Sequence, residues 1–242
     1  MLATAYIGSP NRNRRRAYPA AGFTLIEMAV AIFVIALLVG SILVPIATQV
    51  EQRQIAETQK ILAETREAII GFAVINGRLP RPAVSATDGT ERGSCASEAN
   101  CTGFIPWTVL GTSKLDPWGK IIRYSVNMVF ANSPFSLSTT GTKIIQTRLP
   151  PLFPTSSMIT GIPAVILSHG RNNYGTSDSG ATFADVSATN IDEGTNAGVT
   201  GTFIYRPPSG NTGATGGEFD DIVSWVPVTI LFNRMVAAGK LP

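Results

Sequence analysis

The chain has 242 residues, 44% of them hydrophobic, and a formal net charge of +3. This length suits one membrane segment plus one domain of about 160 residues. Residues 1–22 contain four arginines, so residues 23–242 carry a formal charge of −1. The charge argues against generic binding of DNA or RNA through phosphates, and no specific nucleic-acid partner is expected.

The first predicted element is an apolar helix. Residues 23–44 contain one charged side chain, Glu27, and the next charge is Glu51. Such a helix would be about 33 Å long, which is enough to cross a bilayer core. The preceding arginines favour a cytoplasmic N-terminus in the inner membrane and a periplasmic C-terminal domain. A secretory signal peptide, a plain signal anchor and a buried core helix are the alternatives.

Glu27 needs an explanation, because a carboxylate in lipid costs about 2.5–3.5 kcal/mol on insertion scales. Cleavage after Gly22 would create a positive α-amino group on Phe23, close to this carboxylate. Residues 21–27, Ala-Gly-Phe-Thr-Leu-Ile-Glu, closely resemble the prepilin leader of type IV pilins and type II secretion pseudopilins. The resemblance implies cleavage between Gly22 and Phe23, methylation of the new amine, and use of Phe23 and Glu27 in filament assembly.

The helix is predicted to continue beyond the apolar run, over residues 23–78 in total. Ile55, Leu62 and Ile69 recur every seven residues and form one apolar stripe. We expect this stripe to pack against the C-terminal domain. Asn76-Gly77 and the prolines that follow predict the end of the helix, so residues 79–242 form the globular domain.

Within that domain, short apolar runs alternate with turn residues. Alternating apolar residues predict a half-buried strand over 122–130, and apolar runs predict strands at 164–167 and 202–206. Residues 227–238 predict a helix, while 175–201 and 207–217 lack periodicity and are expected to be long loops. The predicted fold is α+β and pilin-like: a long N-terminal helix, membrane-spanning in its first half, packs on a small antiparallel sheet.

Two cysteines, Cys95 and Cys101, lie in a polar segment. A domain outside the inner membrane is in an oxidising compartment, so a disulfide between them is favoured, with a pair of free thiols as the alternative. Two cysteines and one histidine do not make a standard zinc site.

Two further motifs resemble the major pseudopilin of type II secretion. The first is Asp116-Pro-Trp-Gly119 followed by Tyr124, for which we expect a structural role. The second pairs the loop Leu-Ser-His-Gly-Arg-Asn-Asn, residues 167–173, with Asp-Ile-Val-Ser-Trp, residues 221–225. In that family, the two corresponding segments lie on either side of a calcium site.

The resemblance implies Ser168, Asn172 and Asp221 as candidate calcium ligands, since Ca²⁺ takes six to eight oxygens. Asn172 stands where the family has an aspartate, which removes one negative charge. A metal-free loop held by hydrogen bonds is the alternative.

The lone histidine, His169, has no nucleophile or acid placed near it by spacing, and no catalytic motif is present. We therefore predict a non-enzymatic filament subunit, a pseudopilin or pilin-like protein of a type II secretion system or type IV pilus. One alternative is a minor pilin whose exposed domain binds a ligand, a surface or DNA, and another is an anchored envelope enzyme. The expected partners are prepilin peptidase, other pilin or pseudopilin subunits, the inner-membrane assembly platform and membrane lipid.

Overall fold

A computed structural model describes residues 22–149 and 152–241, without the side chains of 40–46, 149 and 152–157. The predicted leader therefore lies outside the described residues, apart from Gly22. The chain divides into two compact units, Met1–Gln49 and Val50–Pro242.

The first helix, α1, comprises Leu25–Asn76 and contributes to both units. In the first unit, the large apolar side chains of residues 23–39 are exposed, with exposed fractions between 45% for Val34 and 92% for Leu25. Across the residues that the structure places, no helix combines the length and apolarity that a membrane crossing requires. The predicted span of about 23–44 includes residues 40–44, whose side chains are outside the described part.

The second unit contains seven strands and four further helices within its described residues. The strands are β1 Thr102–Phe104, β2 Arg123–Val126, β3 Lys143–Leu149, β4 Leu152–Ile162, β5 Ala164–Ser168, β6 Thr202–Tyr205 and β7 Ile222–Val226. The helices are α2 Trp107–Leu110, α3 Met128–Asn132, α4 Ile191–Ala197 and α5 Val228–Ala237. One sheet is antiparallel with the order β1-β2-β5-β7, and the other has the order β4-β3-β6.

Strand β5 is buried on both faces and separates two apolar cores. Ala164 and Ile166 belong to a core shared with α1, α3 and α5, whereas Val165 and Leu167 belong to a core shared with the second sheet. Successive side chains of a strand point to opposite faces, so one strand supplies both cores. The second unit is therefore layered: helices, a four-stranded sheet and a three-stranded sheet.

The part of α1 in the second unit buries a narrow stripe. Leu62 and Ile69 of the predicted stripe are almost fully buried, whereas Ile55 is half-buried. Two threonines, Thr58 and Thr65, complete the buried face at helical spacing. α1 ends at Asn76, and Gly77 adopts the left-handed backbone conformation with a φ of 72°, as its position after the helix requires.

The α+β prediction and the long helix packed on an antiparallel sheet are confirmed. The strand predicted over 122–130 is wrong in its second half. β2 ends at Val126, and the side chain of Asn127 accepts a hydrogen bond from the Val129 N–H at 3.0 Å, which begins α3. An N-cap asparagine therefore converts the end of the alternating pattern into a helix.

Several other features were not predicted, among them a helix and a sheet. The expected loop 175–201 contains α4, whose buried side chains are Asp192, Glu193 and Asn196, so it has no apolar periodicity to detect. The three-stranded sheet was not predicted as a separate sheet, although its strand β6 matches the strand expected at 202–206. This sheet contains a parallel pair, β3 with β6, in addition to the antiparallel pair β3 with β4.

Cys95 and Cys101 form a disulfide in the structure, and both are fully buried in the core next to α1. The nearby Asn132 fixes this segment, since its side chain donates to the Cys95 carbonyl at 2.6 Å.

Tyr124 offers a test of how the sheet is joined to the end of α1. Its buried hydroxyl donates to the Pro80 carbonyl at 2.9 Å. We expect Tyr124→Phe to lower the free energy of unfolding by about 1 kcal/mol, because a buried carbonyl loses its donor. Denaturant unfolding followed by tryptophan fluorescence measures this, since all three tryptophans lie in the second unit. Tyr205→Phe, at a ring that is 45% exposed, is the matched control, and an equal loss in both variants would contradict the assignment.

Candidate functional site

The start of α1 is organised by Thr24 and Glu27. The Thr24 N–H and hydroxyl both donate to Glu27 Oε2 at 2.9 Å, and the Glu27 N–H donates to the Thr24 hydroxyl at 3.3 Å. This reciprocal arrangement is a capping box, in which two side chains satisfy backbone N–H groups that have no partner within the helix. It holds the Glu27 carboxylate at the helix terminus, four residues from Phe23.

The predicted processing residues lie beside this cap. Gly22 and Phe23 are exposed, and among the described residues no atom beyond the chain neighbours lies within 4 Å of a Cβ built on Gly22. Sequence reasoning identified Gly22, Phe23 and Glu27 but missed Thr24. The signal was present, because Thr-x-x-Glu before an apolar run is typical of a capping box.

In the second unit, Asp116 connects the two motifs of the globular domain. Its Oδ1 accepts hydrogen bonds from the N–H groups of Trp118 at 3.0 Å and Lys120 at 2.9 Å, which close the turn. Its Oδ2 accepts the Ser168 hydroxyl at 2.6 Å, at the end of β5. Burial raises the pKa of the Asp116 carboxyl, and these hydrogen bonds and the charge of Lys120 oppose the rise.

The loop after β5 surrounds the side chain of Lys120. Its ammonium donates to the carbonyls of His169 at 3.2 Å and of Asn172 and Asn173 at 2.6 Å. Lys120 is 3% exposed, and burial lowers the pKa of its ammonium. The negative charges of nearby carboxylates oppose that effect; they belong to Asp220, Asp116, Asp221 and Glu193.

The other side of the loop is held by Asp220. Its Oδ2 accepts hydrogen bonds from the N–H groups of Arg171 at 3.1 Å and Asn172 at 2.8 Å. Burial is the main cause that raises the pKa of Asp220 to about 7, and the charges of Glu193 and Asp221 add to it. Carboxylate oxygens of Glu193, Asp220 and Asp221 lie within 4.8 Å of one another.

The predicted calcium ligands lie close to this loop, but each has another partner. Ser168 donates its hydroxyl to Asp116, and Asp221 contacts His169 Nδ1 at 3.1 Å and accepts the Asn196 amide at 2.8 Å. The backbone carbonyl of Asn172 accepts the Lys120 ammonium. Calcium needs several convergent free oxygens. The Asn172 carbonyl faces an ammonium, and the Ser168 and Asp221 oxygens are engaged by other protein groups, so this arrangement does not fit a calcium ion.

His169 is 3% exposed, and Asp221 orients its ring. The neighbouring hydroxyl of Ser168 is directed at Asp116 instead of at the imidazole. A serine nucleophile requires the base within hydrogen-bond reach, so this pair is not arranged for nucleophilic catalysis. Asn196 adds a bidentate contact to β6 through the N–H and carbonyl of Ile204, which ties α4 and His169 into one buried polar network.

Residues 19–43 match a family described as the prokaryotic N-terminal methylation motif. They are a prepilin-type segment of the kind carried by type IV pilins and pseudopilins, as their resemblance predicts. The motif is typical of structural, membrane-associated filament subunits that prepilin peptidase processes. Searches of curated proteins and of solved structures found no match to the chain.

Ser168→Ala distinguishes a structural serine from a metal ligand. The serine hydroxyl donates to buried Asp116 and accepts the Gly170 N–H at 3.1 Å. We expect the variant to lose about 1–3 kcal/mol of unfolding free energy, equally in chelator and in Ca²⁺. Denaturant unfolding measures the loss, with exposed Ser94→Ala as the control. A loss that occurs only when Ca²⁺ is present would instead identify Ser168 as a ligand.

Proposed function

We propose that this chain, whose residues 19–43 carry the prepilin-type segment, is a subunit of a type II secretion pseudopilus or a type IV pilus. Prepilin peptidase removes residues 1–22 and the new Phe23 amine is methylated. The subunit is held in the inner membrane with its C-terminal unit in the periplasm. An assembly platform then adds it to a filament of like subunits. The observation that carries this proposal is the match over residues 19–43, a segment that contains Gly22, Phe23 and Glu27.

The exposed apolar surface of α1 supports a membrane-to-filament pathway. The large apolar side chains of residues 23–39 are all at least 45% exposed, so in water this surface would need a cover. Membrane lipid provides that cover before assembly, and the helices of neighbouring subunits provide it afterwards. We therefore propose that residues 23–44 lie in lipid until the subunit is incorporated.

The capping box gives Glu27 two separate tasks. Oε2 accepts both hydrogen bonds from Thr24. We propose that Oε1 serves a partner from another subunit. During assembly, that partner is the Phe23 amine of a neighbouring subunit. A charge pair replaces a lone carboxylate, whose cost in lipid is about 2.5–3.5 kcal/mol. The pairing makes incorporation favourable and sets the register between subunits.

The mature N-terminus tests the first step. We expect protein recovered from membranes of cells that contain the prepilin peptidase to begin at Phe23 and to carry one N-methyl group. Intact-mass measurement and N-terminal sequencing detect both changes. Protein from cells without the peptidase is the control and should retain residues 1–22. Recovery of a chain that begins at any other residue would refute the proposed processing.

Glu27→Gln and Thr24→Ala separate the charge of Glu27 from its capping role. A glutamine at this position still completes a capping box but carries no charge. Thr24→Ala removes the cap and keeps the carboxylate. We expect normal cleavage in both variants, with incorporation reduced at least tenfold in Glu27→Gln and close to wild type in Thr24→Ala. Quantification of the subunit in sheared filaments, relative to the membrane pool, measures incorporation.

Two results of that comparison would count against the pairing role. Normal incorporation of Glu27→Gln would show that the charge is not needed. An equal loss in both variants would show that Glu27 serves only to cap the helix. Since cleavage is scored separately, a failure of assembly is distinguishable from a failure of processing.

A further inference from the structure

Positive φ angles are concentrated in the loop between β5 and α4. Gly170, Asn173, Tyr174 and Gly175 have φ angles of 55°, 34°, 36° and 94°. A bulky residue such as Tyr174 rarely adopts this conformation, which costs about 1–3 kcal/mol. This path turns the carbonyls of residues 169, 172 and 173 toward a single point.

The ammonium of Lys120 occupies that point. It has three N–H donors, and three carbonyls accept from it at 2.6–3.2 Å, so its hydrogen-bonding capacity is used completely. Its stem approaches the loop backbone so closely that a Cβ on Gly175 would lie 2.8 Å from Lys120 Cδ. The glycine is required both for this approach and for its positive φ.

Negative charge also lies near the ammonium. Glu193, Asp220 and Asp221 cluster there, and five of their six carboxylate oxygens accept or contact a protein donor. The sixth, Asp220 Oδ1, is buried without a partner. A buried ammonium needs such compensation, because an isolated charge in the interior is very costly.

We infer that the ammonium of Lys120 takes the place of a bound metal ion in this loop. Carbonyls that bond to Nζ at 2.6 Å could reach a Ca²⁺ ion only if the ammonium left. Two cations within about 4 Å would repel each other strongly in a site of low dielectric constant. The second unit therefore keeps its loop ordered at any calcium concentration, which is a property separate from the proposed function in filaments.

The test is the thermal unfolding of the full chain in detergent, followed by tryptophan fluorescence, in chelator and in millimolar Ca²⁺. We expect the wild-type midpoint to be the same in both conditions. Lys120→Met should melt about 5–10 °C lower in both, because it removes the charge and the donors yet still fills the position. Lys120→Ala should melt similarly low in chelator and recover several degrees in Ca²⁺, because it leaves room for the ion.

Lys60→Met is the control. The Lys60 side chain is 75% exposed and pairs with Glu64 at 3.8 Å, so its loss should change the midpoint little. If Lys120→Ala does not fold in chelator, the yield of folded protein with and without Ca²⁺ replaces the midpoint, and recovery only in Ca²⁺ supports the inference.

Three outcomes would overturn it. The first is a wild-type midpoint that rises in Ca²⁺ and falls in chelator. The second is Lys120→Met with the same midpoint as the wild type. The third is Lys120→Ala that gains no stability or folded yield from Ca²⁺.

Discussion

One short turn supplies two buried charges, Asp116 and Lys120, that hold the loop after β5. The carboxylate of Asp116 accepts from Ser168 at the end of β5, and the ammonium of Lys120 donates to the loop that follows it. Buried charges are tolerated only when hydrogen bonds and opposite charges surround them. The turn and the loop after β5 therefore fix each other, although about fifty residues separate them in the chain. The same contacts place His169 and Asp221 in a structural network.

The N-terminal segment differs from the C-terminal unit in which of its side chains are exposed. Its apolar side chains are exposed, and its single acid, Glu27, is held by Thr24 at the helix terminus. In a soluble protein such exposed apolar side chains would be unfavourable, whereas they suit the proposed subunit, which moves from lipid into a filament. The capping box uses one oxygen of the carboxylate to stabilise its own helix, and in the proposed assembly the other oxygen pairs with a neighbouring subunit.

Several elements could be predicted because their signals are local. The helix end at Asn76-Gly77, the strand at Ala164–Ser168 and the final helix, Val228–Ala237, follow from glycine, proline and apolar patterns. The errors also have physical causes. Asn127 ends a strand by capping a helix, and α4 buries acids and an amide where an apolar stripe would be expected. A proline and a glycine interrupt the sequence of β4, which lies at a sheet edge where such residues are tolerated.

The sequence by itself was enough to identify the prepilin-type N-terminal segment. A glycine, a phenylalanine and an acid stand at fixed spacing beside an apolar run, and all of them lie within six residues of one another. The sequence also determined the fold class through periodicity and turn residues. Only the tertiary structure decided what faces the loop after β5. The resemblance to the major pseudopilin implied calcium ligands there, but the occupant is the ammonium of Lys120, which reaches the loop from a distant turn. Contacts between segments far apart in the chain depend on how the sheet pairs its strands, and no local pattern encodes that.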